Sequence, residues 1–421
     1  MENFKPFTIQ HLQVDQLYSF MPSPVNYYLV FWWKNIPLGH IWLYTHNSTI
    51  DNTIFKQNVT DAIQKTVDDY ASVQKRDNQT LWKTYLLDND QEKLKQELDN
   101  IIPLQIGTPT GDEKLSIVIC TRNRPQQLEQ CVKALMDSHD QDFELIVVDN
   151  APDNDSTEQI MKKYPTVKYV KEPRKGLSIA RNTGARQARH DIVAYTDDDV
   201  IVHPTWTRII KTTFQDQLTM AVTGLVIPVS LQVKAQYLFE KNSGFNRGYI
   251  AKVFDKDYFA KYLDVGVPVW DVGAGANMAF RRKVFDHIGW FDERLGAGAS
   301  GCSEDSEFWY RVMAKGWNCN YYPQLFVYHQ HRDSEASLKN QMFSYMRGHV
   351  SALLVQYKNH RHKGNLFRLY HILPVHYLKR ICSDILHLRL NTLKGTLNEA
   401  YGCVAGYLYY FKYCNGKDND T

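Results

Sequence analysis

The sequence predicts an α/β protein built on a doubly wound, mostly parallel sheet. Continuous apolar runs such as LSIVICT and ELIVVDN lack polar alternation, which is typical of parallel strands covered on both faces. Amphipathic segments with helical spacing separate these runs from Leu115 onward. Conspicuous polar residues follow the runs, at the carboxyl ends of strands where ligands bind in open α/β sheets.

Length and composition set the class of protein. A chain of 421 residues is too long for one ordinary core, and a net charge of +3 with 43% hydrophobic residues is typical of a soluble globular protein without the field that nucleic acid binding needs. Seven scattered cysteines without CxxC spacing favour a reducing cytosol. The N-terminus lacks a secretory pattern, and the longest apolar stretches are shorter than the roughly 20 residues that span a bilayer. We expect a cytoplasmic protein without transmembrane segments.

Residues 1–110 are predicted to form a separate α+β accessory region. VNYYLVFWW and GHIWLYT indicate two strands on either side of KNIPL, and TIFKQNVTDAIQKTV places Phe55, Val59, Ile63 and Val67 on one helix face. IIPLQIGTPTGDEK, rich in Pro, Gly and Thr, indicates a linker to the rest of the chain. No function is assigned to this region.

Strands and helices alternate in the segment that follows. After the strand LSIVICT, Pro125 opens a helix whose apolar face holds Leu128, Cys131, Val132 and Leu135. The alternation continues with ELIVVDN, STEQIMKKY, VKYVKE, LSIARNTGARQAR, DIVAYT, HPTWTRIIKTTF and MAVTGLVIPV. The polar strand ends are therefore expected at one edge of the sheet, and they comprise Thr121, Arg122, Asn123, Arg124, Asp149 and Asn150, with the aspartates of AYTDDDV.

The aspartate triplet Asp197, Asp198 and Asp199 is the strongest single signal. Adjacent carboxylates repel one another, and a hard cation such as Mg²⁺ or Mn²⁺ takes one or two of them together with water and substrate phosphates. In an extended segment, Asp197 and Asp199 face the same way while Asp198 points elsewhere. The alternative is a solvated loop, but the position after a buried strand favours a metal site.

GLSIARNTG, between a strand and a helix, is a candidate diphosphate site. Ser178 is expected to cap the helix, and Arg181 with Asn182 offers donors beside its positive end. The alternative is an ordinary cap followed by a packing face of small residues. Asp149 likewise is either an acceptor for a base or ribose or a turn-forming residue.

The second half of the alternating segment carries GAGANMAFRR and FDERLGAGASGCSEDSEFWYR. Ser303 is expected to cap a helix that has Glu304 and Asp305 in its first turn. These carboxylates either stabilise the helix dipole, by roughly 0.3 to 1 kcal/mol, or supply a general base for a hydroxyl nucleophile. Further on, His329 and His331 follow a predicted strand and are either a metal or phosphate ligand or satisfied structural histidines.

Six motifs in this order resemble the family 2 glycosyltransferases with the GT-A fold. They are SIVICTRNRP, IVVDN, GLSIARNTG, AYTDDDV, GAGANMAFRR and FDERLGAG with CSEDSEFWYR, and they extend from about Leu115 to His331. The resemblance implies metal-dependent transfer of a sugar from a nucleotide-diphosphate donor, expected to be a UDP-sugar, to a hydroxyl with inversion. A hexosyltransferase of polysaccharide or glycoconjugate biosynthesis is expected.

The resemblance also implies roles for single residues. Asp305 would be the base, paired in the motif with Glu304, and Arg181 would lie near the diphosphate. Asp199, with His329 rather than His331, would bind Mn²⁺ or Mg²⁺. The nucleotide would be held by the remaining strand-end residues Thr121, Arg122, Asn123, Arg124, Asp149, Asp197 and Asp198.

The resemblance divides the chain into an accessory region, a catalytic domain over 111–335 and a helical region over 336–421. Within the catalytic domain, 111–229 would bind the nucleotide and 230–335 the acceptor. The QxxRW sequence of processive synthases is absent, which favours the addition of one or a few sugars. Cys302 and Ser303 stand where relatives often have a glycine, so the resemblance does not predict the conformation of the acceptor loop.

The partners implied are a nucleotide sugar and a glycan or lipid-linked acceptor. RHKGNLFRLYHILPVHYLKRICSDILHLRLNTLK near the C-terminus interleaves basic and apolar residues, which is typical either of helices on the inner face of an anionic membrane or of helices packed on the catalytic domain. A sugar nucleotidyltransferase and a non-catalytic sugar-nucleotide-binding protein are the alternative functions.

Overall fold

The structure is a computed structural model that describes residues 4–20, 23, 25–44, 51–74, 81–102, 113–214 and 216–416. Most of the predicted linker IIPLQIGTPTGDEK lies outside these residues, because they omit 103–112.

The strands of the described residues are numbered in chain order. They are β1 (Phe7–Gln13), β2 (Asn26–Trp33), β3 (Ile36–Leu43), β4 (Leu115–Thr121), β5 (Phe143–Asn150), β6 (Lys168–Glu172), β7 (Ile192–Asp197), β8 (Val200–Val202), β9 (Thr219–Pro228), β10 (Lys252–Phe254), β11 (Asn277–Arg281) and β12 (Asn318–His329).

The helices are numbered in the same way. They are α1 (Asn52–Val73), α2 (Trp82–Leu87), α3 (Gln91–Ile101), α4 (Pro125–Met136), α5 (Ser156–Met161), α6 (Leu177–Gln187), α7 (Trp206–Thr213), α8 (Lys234–Ser243), α9 (Lys256–Tyr262), α10 (Lys283–Ile288), α11 (Glu304–Ala314), α12 (Glu335–His360), α13 (Lys363–Phe367), α14 (Leu373–Leu386) and α15 (Leu390–Tyr409). Short 3-10 helices lie at Val14–Ser19 and Val269–Asp271, and π-helical stretches at Arg368–Ile372 and Tyr410–Cys414.

The central sheet has the order β10-β12-β9-β11-β7-β4-β5-β6, and β8 pairs with the end of β12. Strands β7, β4, β5 and β6 are parallel, as are β9 and β12, while β11 runs antiparallel between β7 and β9. The predicted α/β class with a mostly parallel sheet is confirmed. Buried apolar runs account for it, since β4, β5 and β7 are covered on both faces.

The N-terminal sheet β1-β2-β3 packs on both of its faces. Leu29, Phe31 and Trp33 of β2 share a core with the helices α1 to α3, whereas Tyr28 and Trp32 belong to the core around the central sheet. The sequence predicted a strand from GHIWLYT, but β3 already begins at Ile36. The turn is short because Lys34 adopts a left-handed φ of 53° and β2 pairs with β3 directly after it.

The C-terminal helices pack against the segment that carries the central sheet, in line with one of the two interpretations of their sequence. Leu295 shares a core with Val350 of α12 and with Tyr410. Helix α15 approaches α12 closely at Gly402, where a Cβ would lie 2.6 Å from the carbonyl oxygen of Phe343. In the part of the chain that the structure describes, no helix is long and apolar enough to cross a membrane.

Candidate active site

The candidate site is a cleft of about 1170 Å³ at the carboxyl ends of β4, β5 and β7. Both halves of the alternating segment line it, and so do the C-terminal helices. Ten of the twelve residues predicted to be catalytic, nucleotide-binding or metal-binding come together in its lining, namely Thr121, Arg122, Arg124, Arg181, Asp197, Asp198, Asp199, Glu304, Asp305 and His329.

The strand register explains how His329 reaches the aspartates. β7 ends at Asp197, and after a turn β8 begins at Val200, which pairs with His329 at the end of β12. The Nε2 atom of His329 consequently lies 3.4 Å from the Oδ1 atom of Asp199.

Asp198 and Asp199 are held by two residues from the end of β4. The hydroxyl of Thr121 donates to Asp198 Oδ2 at 2.7 Å, and Arg124 Nη1 donates to Asp198 Oδ1 and Asp199 Oδ2 at 3.0 Å each. Burial raises the pKa of Asp198 to about 6 despite the Arg124 charge. Burial also acts to raise the pKa of Asp199, but the hydrogen bond and charge of His329, with Arg124, outweigh it and lower that pKa to about 2.

Asp197, Asp199 and His329 form a group suited to a divalent cation. One potential ligand atom from each lies within 4.8 Å of the others. Two carboxylates and an imidazole match the donors that Mn²⁺ accepts, and Mg²⁺ is held by one or two carboxylates and substrate phosphates. The residues therefore fit the cation that the family resemblance implies.

Arg181 of α6 connects the strand edge to α11. Its side chain is 3% exposed, and its Nη1 atom lies 2.5 Å from Glu304 Oε1 while Nη2 lies 3.6 Å from Asp197 Oδ1. Burial by itself would lower the pKa of Arg181, but the surrounding carboxylates raise it. The guanidinium is thus a fixed positive charge in contact with Glu304.

Asp305 faces the cleft next to this pair and, within the described residues, has no ion-pair partner. A Cβ added to Gly275 would lie 3.0 Å from Asp305 Oδ2 and 2.7 Å from Arg181 Nη2, so only glycine leaves room for both side chains. Glu304 and Asp305 therefore have different surroundings although they are neighbours in sequence. The first is buried against Arg181, and the second is partly open to the cleft.

Two caps predicted from the sequence are wrong. Ser303 stands before α11 in a left-handed conformation with φ 71°, and its hydroxyl lies 3.1 Å from Cys302 Sγ without bonding to the helix. Ser178 lies inside α6, because the helix already begins at Leu177, and its hydroxyl donates to the carbonyl of Leu295 at 2.8 Å.

Asn182, the other residue considered near the diphosphate, is fully buried. Its side chain donates to the carbonyl of Phe291 at 2.9 Å and accepts from the Phe291 amide at 2.9 Å. These bonds hold the loop before α11, and Asn182 is not part of the cleft lining.

Asn123 and Asp149 also lie outside the cleft lining. Asn123 exchanges two hydrogen bonds with Asp153, at 2.5 and 3.0 Å. Asp149 is fully buried and accepts from the Tyr169 hydroxyl at 2.8 Å, and burial raises its pKa. Its Oδ1 atom has no partner among the described residues. The roles of these two residues in nucleotide binding stay predictions.

Of the two histidines, only His329 is directed at the aspartates. His331 Nε2 lies 2.9 Å from Glu240 Oε2, and the Nδ1 atoms of the two histidines are 3.0 Å apart.

Sequence reasoning missed a second group of residues in the cleft lining. Arg247 follows α8, Trp270 lies in a 3-10 helix, His349 is on α12 and Arg368 begins a π-helical stretch, yet all four line the cleft. The four residues belong to four segments that are distant in sequence, so no sequence motif could have identified them as one group.

The fold and this arrangement define a protein of the GT-A glycosyltransferase class. Residues 116–289 match the family model "Glycosyl transferase family 2", so this segment of the chain is similar to the glycosyltransferases of that family.

Similar proteins include a chondroitin synthase of Escherichia coli, 27% identical over 51% of this chain and 34% of that protein. A glucosyl-dolichyl phosphate glucuronosyltransferase of Haloferax volcanii is 23% identical over 44% of this chain and 57% of that protein. The chain thus spans only about a third to somewhat more than half of these relatives. Among solved structures, a Pyrobaculum calidifontis mannosyltransferase in complex with GDP-Man and Mn²⁺ aligns over 75% of this chain and 79% of its own, with 14% identity and a TM-score of 0.44.

Proposed function

We propose that the protein is a metal-dependent, inverting glycosyltransferase that moves a sugar from a nucleotide-diphosphate sugar, expected to be a UDP-sugar, to a hydroxyl of a glycan or lipid-linked acceptor. The observation that carries this proposal is the pairing of a cation-binding group, Asp197, Asp199 and His329, with the unpaired carboxylate of Asp305 in one cleft. The match of residues 116–289 to the glycosyl transferase family 2 model supports it.

The proposed mechanism assigns the acceptor proton to Asp305. The Asp305 carboxylate accepts the proton of the acceptor hydroxyl as the hydroxyl attacks the anomeric carbon, so no covalent enzyme intermediate is needed. Glu304 is a positioning residue in this proposal, because its carboxylate is occupied by Arg181.

The leaving diphosphate would be accommodated at the strand edge. Arg181 and Arg124 supply fixed positive charge there, and a cation held by Asp199, His329 and Asp197 supplies charge neutralisation when bound. Thr121, Arg122 and Asp198 line the same edge and are proposed, together with Asn123 and Asp149, to shape the nucleotide site. We also propose that 111–229 serves the nucleotide and 230–335 the acceptor, with 1–110 accessory and 336–421 helical.

Release of nucleoside diphosphate from a panel of UDP- and GDP-sugars, with and without Mn²⁺, tests this function. We expect Mn²⁺-dependent release that Asp199→Ala abolishes, because the cation loses a ligand. The matched control is Asp286→Ala, an exposed aspartate outside the cleft lining. Two results would contradict the proposal. Formation of a nucleotide sugar from a sugar phosphate and a nucleoside triphosphate, with release of pyrophosphate, would support a nucleotidyltransferase. Binding of donors without any release of nucleoside diphosphate would support a non-catalytic binding protein.

We further propose that the C-terminal helices rest on the inner face of an anionic membrane. Helix α14 exposes Val375, Leu378 and Ile385, and α15 exposes residues spaced along one helix face. The exposed apolar residues along this face are Leu397, Tyr401, Val404 and Leu408 of α15 and Phe411 of the π-helical stretch that follows, and with those of α14 they form the C-terminal apolar surface. The side chains of Tyr401 and Leu408 are 66% and 62% exposed. A contiguous group of exposed apolar side chains of this size is unusual on a surface that faces only water.

Charge favours a lipid surface as the occupant. The segment 361–416 contains eight Lys and Arg but only two carboxylates, Asp384 and Glu399, and both of these are already paired. Basic residues flanking an exposed apolar stripe are typical of helices that lie in an anionic membrane interface.

Vesicle co-sedimentation tests the membrane proposal. Wild-type protein is expected to pellet with vesicles containing phosphatidylglycerol more than with phosphatidylcholine alone, and Tyr401→Ser with Leu408→Ser should reduce pelleting. Ile54→Ser with Val73→Ser, which changes two exposed apolar residues of α1, is the matched control. Truncation near Val355 is a poor test because it would remove Tyr410 and Cys414 from a shared core. Equal pelleting of the surface variant and the wild type would remove the idea.

A further inference from the structure

A second part of the cleft lining, formed by Arg247, Trp270, His349 and Arg368 and called the far end, holds two arginines without a carboxylate partner. Arg247 and Arg368 both line the cleft, and within the described residues neither lies within salt-bridge distance of a carboxylate. Arg124 and Arg181, in contrast, each contact two carboxylates.

Neutral groups hold the two guanidiniums in place. Arg247 donates from Nε to the carbonyl of Trp270 and from Nη1 to the carbonyl of Gly244, both at 2.8 Å. Arg368 stacks over the Trp270 ring, 4.1 Å from its centroid, and donates from Nε to His349 Nε2 at 3.2 Å. Arg247 Nη2 and both terminal nitrogens of Arg368 have no hydrogen-bond partner among the described residues.

The Asp271 carboxylate acts on both guanidiniums but, within the described residues, forms an ion pair with neither. Burial lowers the pKa of Arg247, and it lowers that of Arg368 to about 10, with the Asp271 charge opposing the shift in both cases. His349 accepts from Arg368, and burial lowers its pKa to about 3, so its imidazole is neutral and acts only as a hydrogen-bond acceptor. Half-buried guanidiniums with free donors are costly unless an anion completes them.

The position of the pair indicates which ligand would supply the anion. Arg247 follows α8 in the acceptor half, close enough to Asp305 for that charge to act on it, and Arg368 comes from the C-terminal helices. Neither belongs to the strand edge with the cation-binding group. A donor diphosphate at that edge already meets Arg124 and Arg181.

We propose that Arg247 and Arg368, aligned by Trp270 and His349, form an acceptor subsite for an anionic group, either a phosphate or a carboxylate on the acceptor. Two free guanidinium edges can each donate to oxygens of such a group, as arginine forks do with both anions. The subsite deepens the proposed function, on which it rests, by restricting the acceptor to a charged molecule.

Titration calorimetry with small probes tests the subsite without turnover. With UDP and Mg²⁺ present to fill the donor end, glucose 6-phosphate and glucuronate are each compared with glucose. We expect at least one charged probe to bind about tenfold or more tightly than glucose, the factor that one charge-assisted hydrogen bond supplies. The preferred probe distinguishes phosphate from carboxylate.

Substitutions then assign the preference to the arginines. Arg247→Gln and Arg368→Gln should each remove most of it, Arg368→Lys should retain part of it through its charge, and Arg282→Gln, at an exposed arginine outside the cleft lining, should keep it. Thermal unfolding shows whether each variant is folded. If Arg368→Gln is not folded, Arg368→Lys replaces it as the test at that position.

The proposal is overturned if wild-type protein shows no preference for either charged probe, or if the preference survives in both Gln variants. A loss of UDP affinity in these variants would also overturn it, since the arginines would then serve the donor. Failure of the proposed function looks different, because the wild-type protein would release no nucleoside diphosphate from any donor.

Discussion

The arginines at the two ends of the cleft differ in whether they are paired with carboxylates. At the strand edge, Arg124 and Arg181 are engaged by Asp197, Asp198, Asp199 and Glu304. At the far end, Arg247 and Arg368 have hydrogen bonds and ring contacts, among the described residues, only with carbonyls, an imidazole and an indole ring.

This difference indicates what each end is prepared to receive. The strand edge has an excess of carboxylates that arginines hold in position, which suits a cation arriving with a diphosphate. The far end has an excess of positive charge, which suits an anion. Asp305 lies between them without an ion-pair partner in the described chain, where an acceptor hydroxyl would need its base.

The largest expected effect follows from removing the carboxylate between the two ends. Asp305→Asn keeps the shape but cannot take up the acceptor proton, so transfer should fall by about 10²- to 10⁴-fold. UDP affinity should be retained, since Asp305 contacts none of the strand-edge residues through an ion pair. Product formation and UDP titration measure the two quantities.

Asp286→Asn is the control for that experiment, because Asp286 is exposed on α10. Transfer by Asp305→Asn at the wild-type rate would show that another group is the base.

A second substitution removes a carboxylate partner from an arginine at the strand edge, as at the far end. Glu304→Gln leaves the buried Arg181 with only the longer contact to Asp197, and loss of a buried ion-pair partner lowers the free energy of unfolding by about 3 to 5 kcal/mol. Urea denaturation measures this loss.

Glu335→Gln serves as its control, since Glu335 is 64% exposed in a surface pair with Lys234 and should change stability by less than about 1 kcal/mol. Similar stabilities of the two variants would mean that Arg181 does not depend on Glu304.

The smallest effect concerns Asp198. Thr121→Val removes the hydroxyl that donates to Asp198 at 2.7 Å while keeping the side-chain volume, and a loss of about 1 kcal/mol in stability is expected. Thermal unfolding compares it with Thr392→Val, an exposed threonine of α15. A variant as stable as that control would indicate that Asp198 does not need Thr121.

The strand edge of the cleft could be predicted from sequence because local patterns define it. The buried runs of β4, β5 and β7 each end in polar residues, and parallel strands bring those ends to one edge. His329 was predictable for the same reason, since it closes a strand. The caps were predicted wrongly because Ser178 and Ser303 use their hydroxyls in contacts that depend on distant or strained backbone.

The far end could not be predicted because it depends on packing alone. Its residues come from four segments that meet only when the C-terminal helices pack against the segment that carries the central sheet, and they are Arg247, Trp270, His349 and Arg368. The docking of β2 between two cores is equally invisible in its sequence, where Tyr28 and Leu29 look alike although they face different partners.

A crystal structure with Mn²⁺ and UDP, using manganese anomalous scattering, tests the central claim most directly. We predict an anomalous peak within bonding distance of Asp199 and His329, with the UDP diphosphate on the cation and no peak near Arg247 or Arg368. A peak elsewhere, or UDP bound at the far end with the aspartates still held only by Arg124 and Arg181, would contradict the assignment of the two ends.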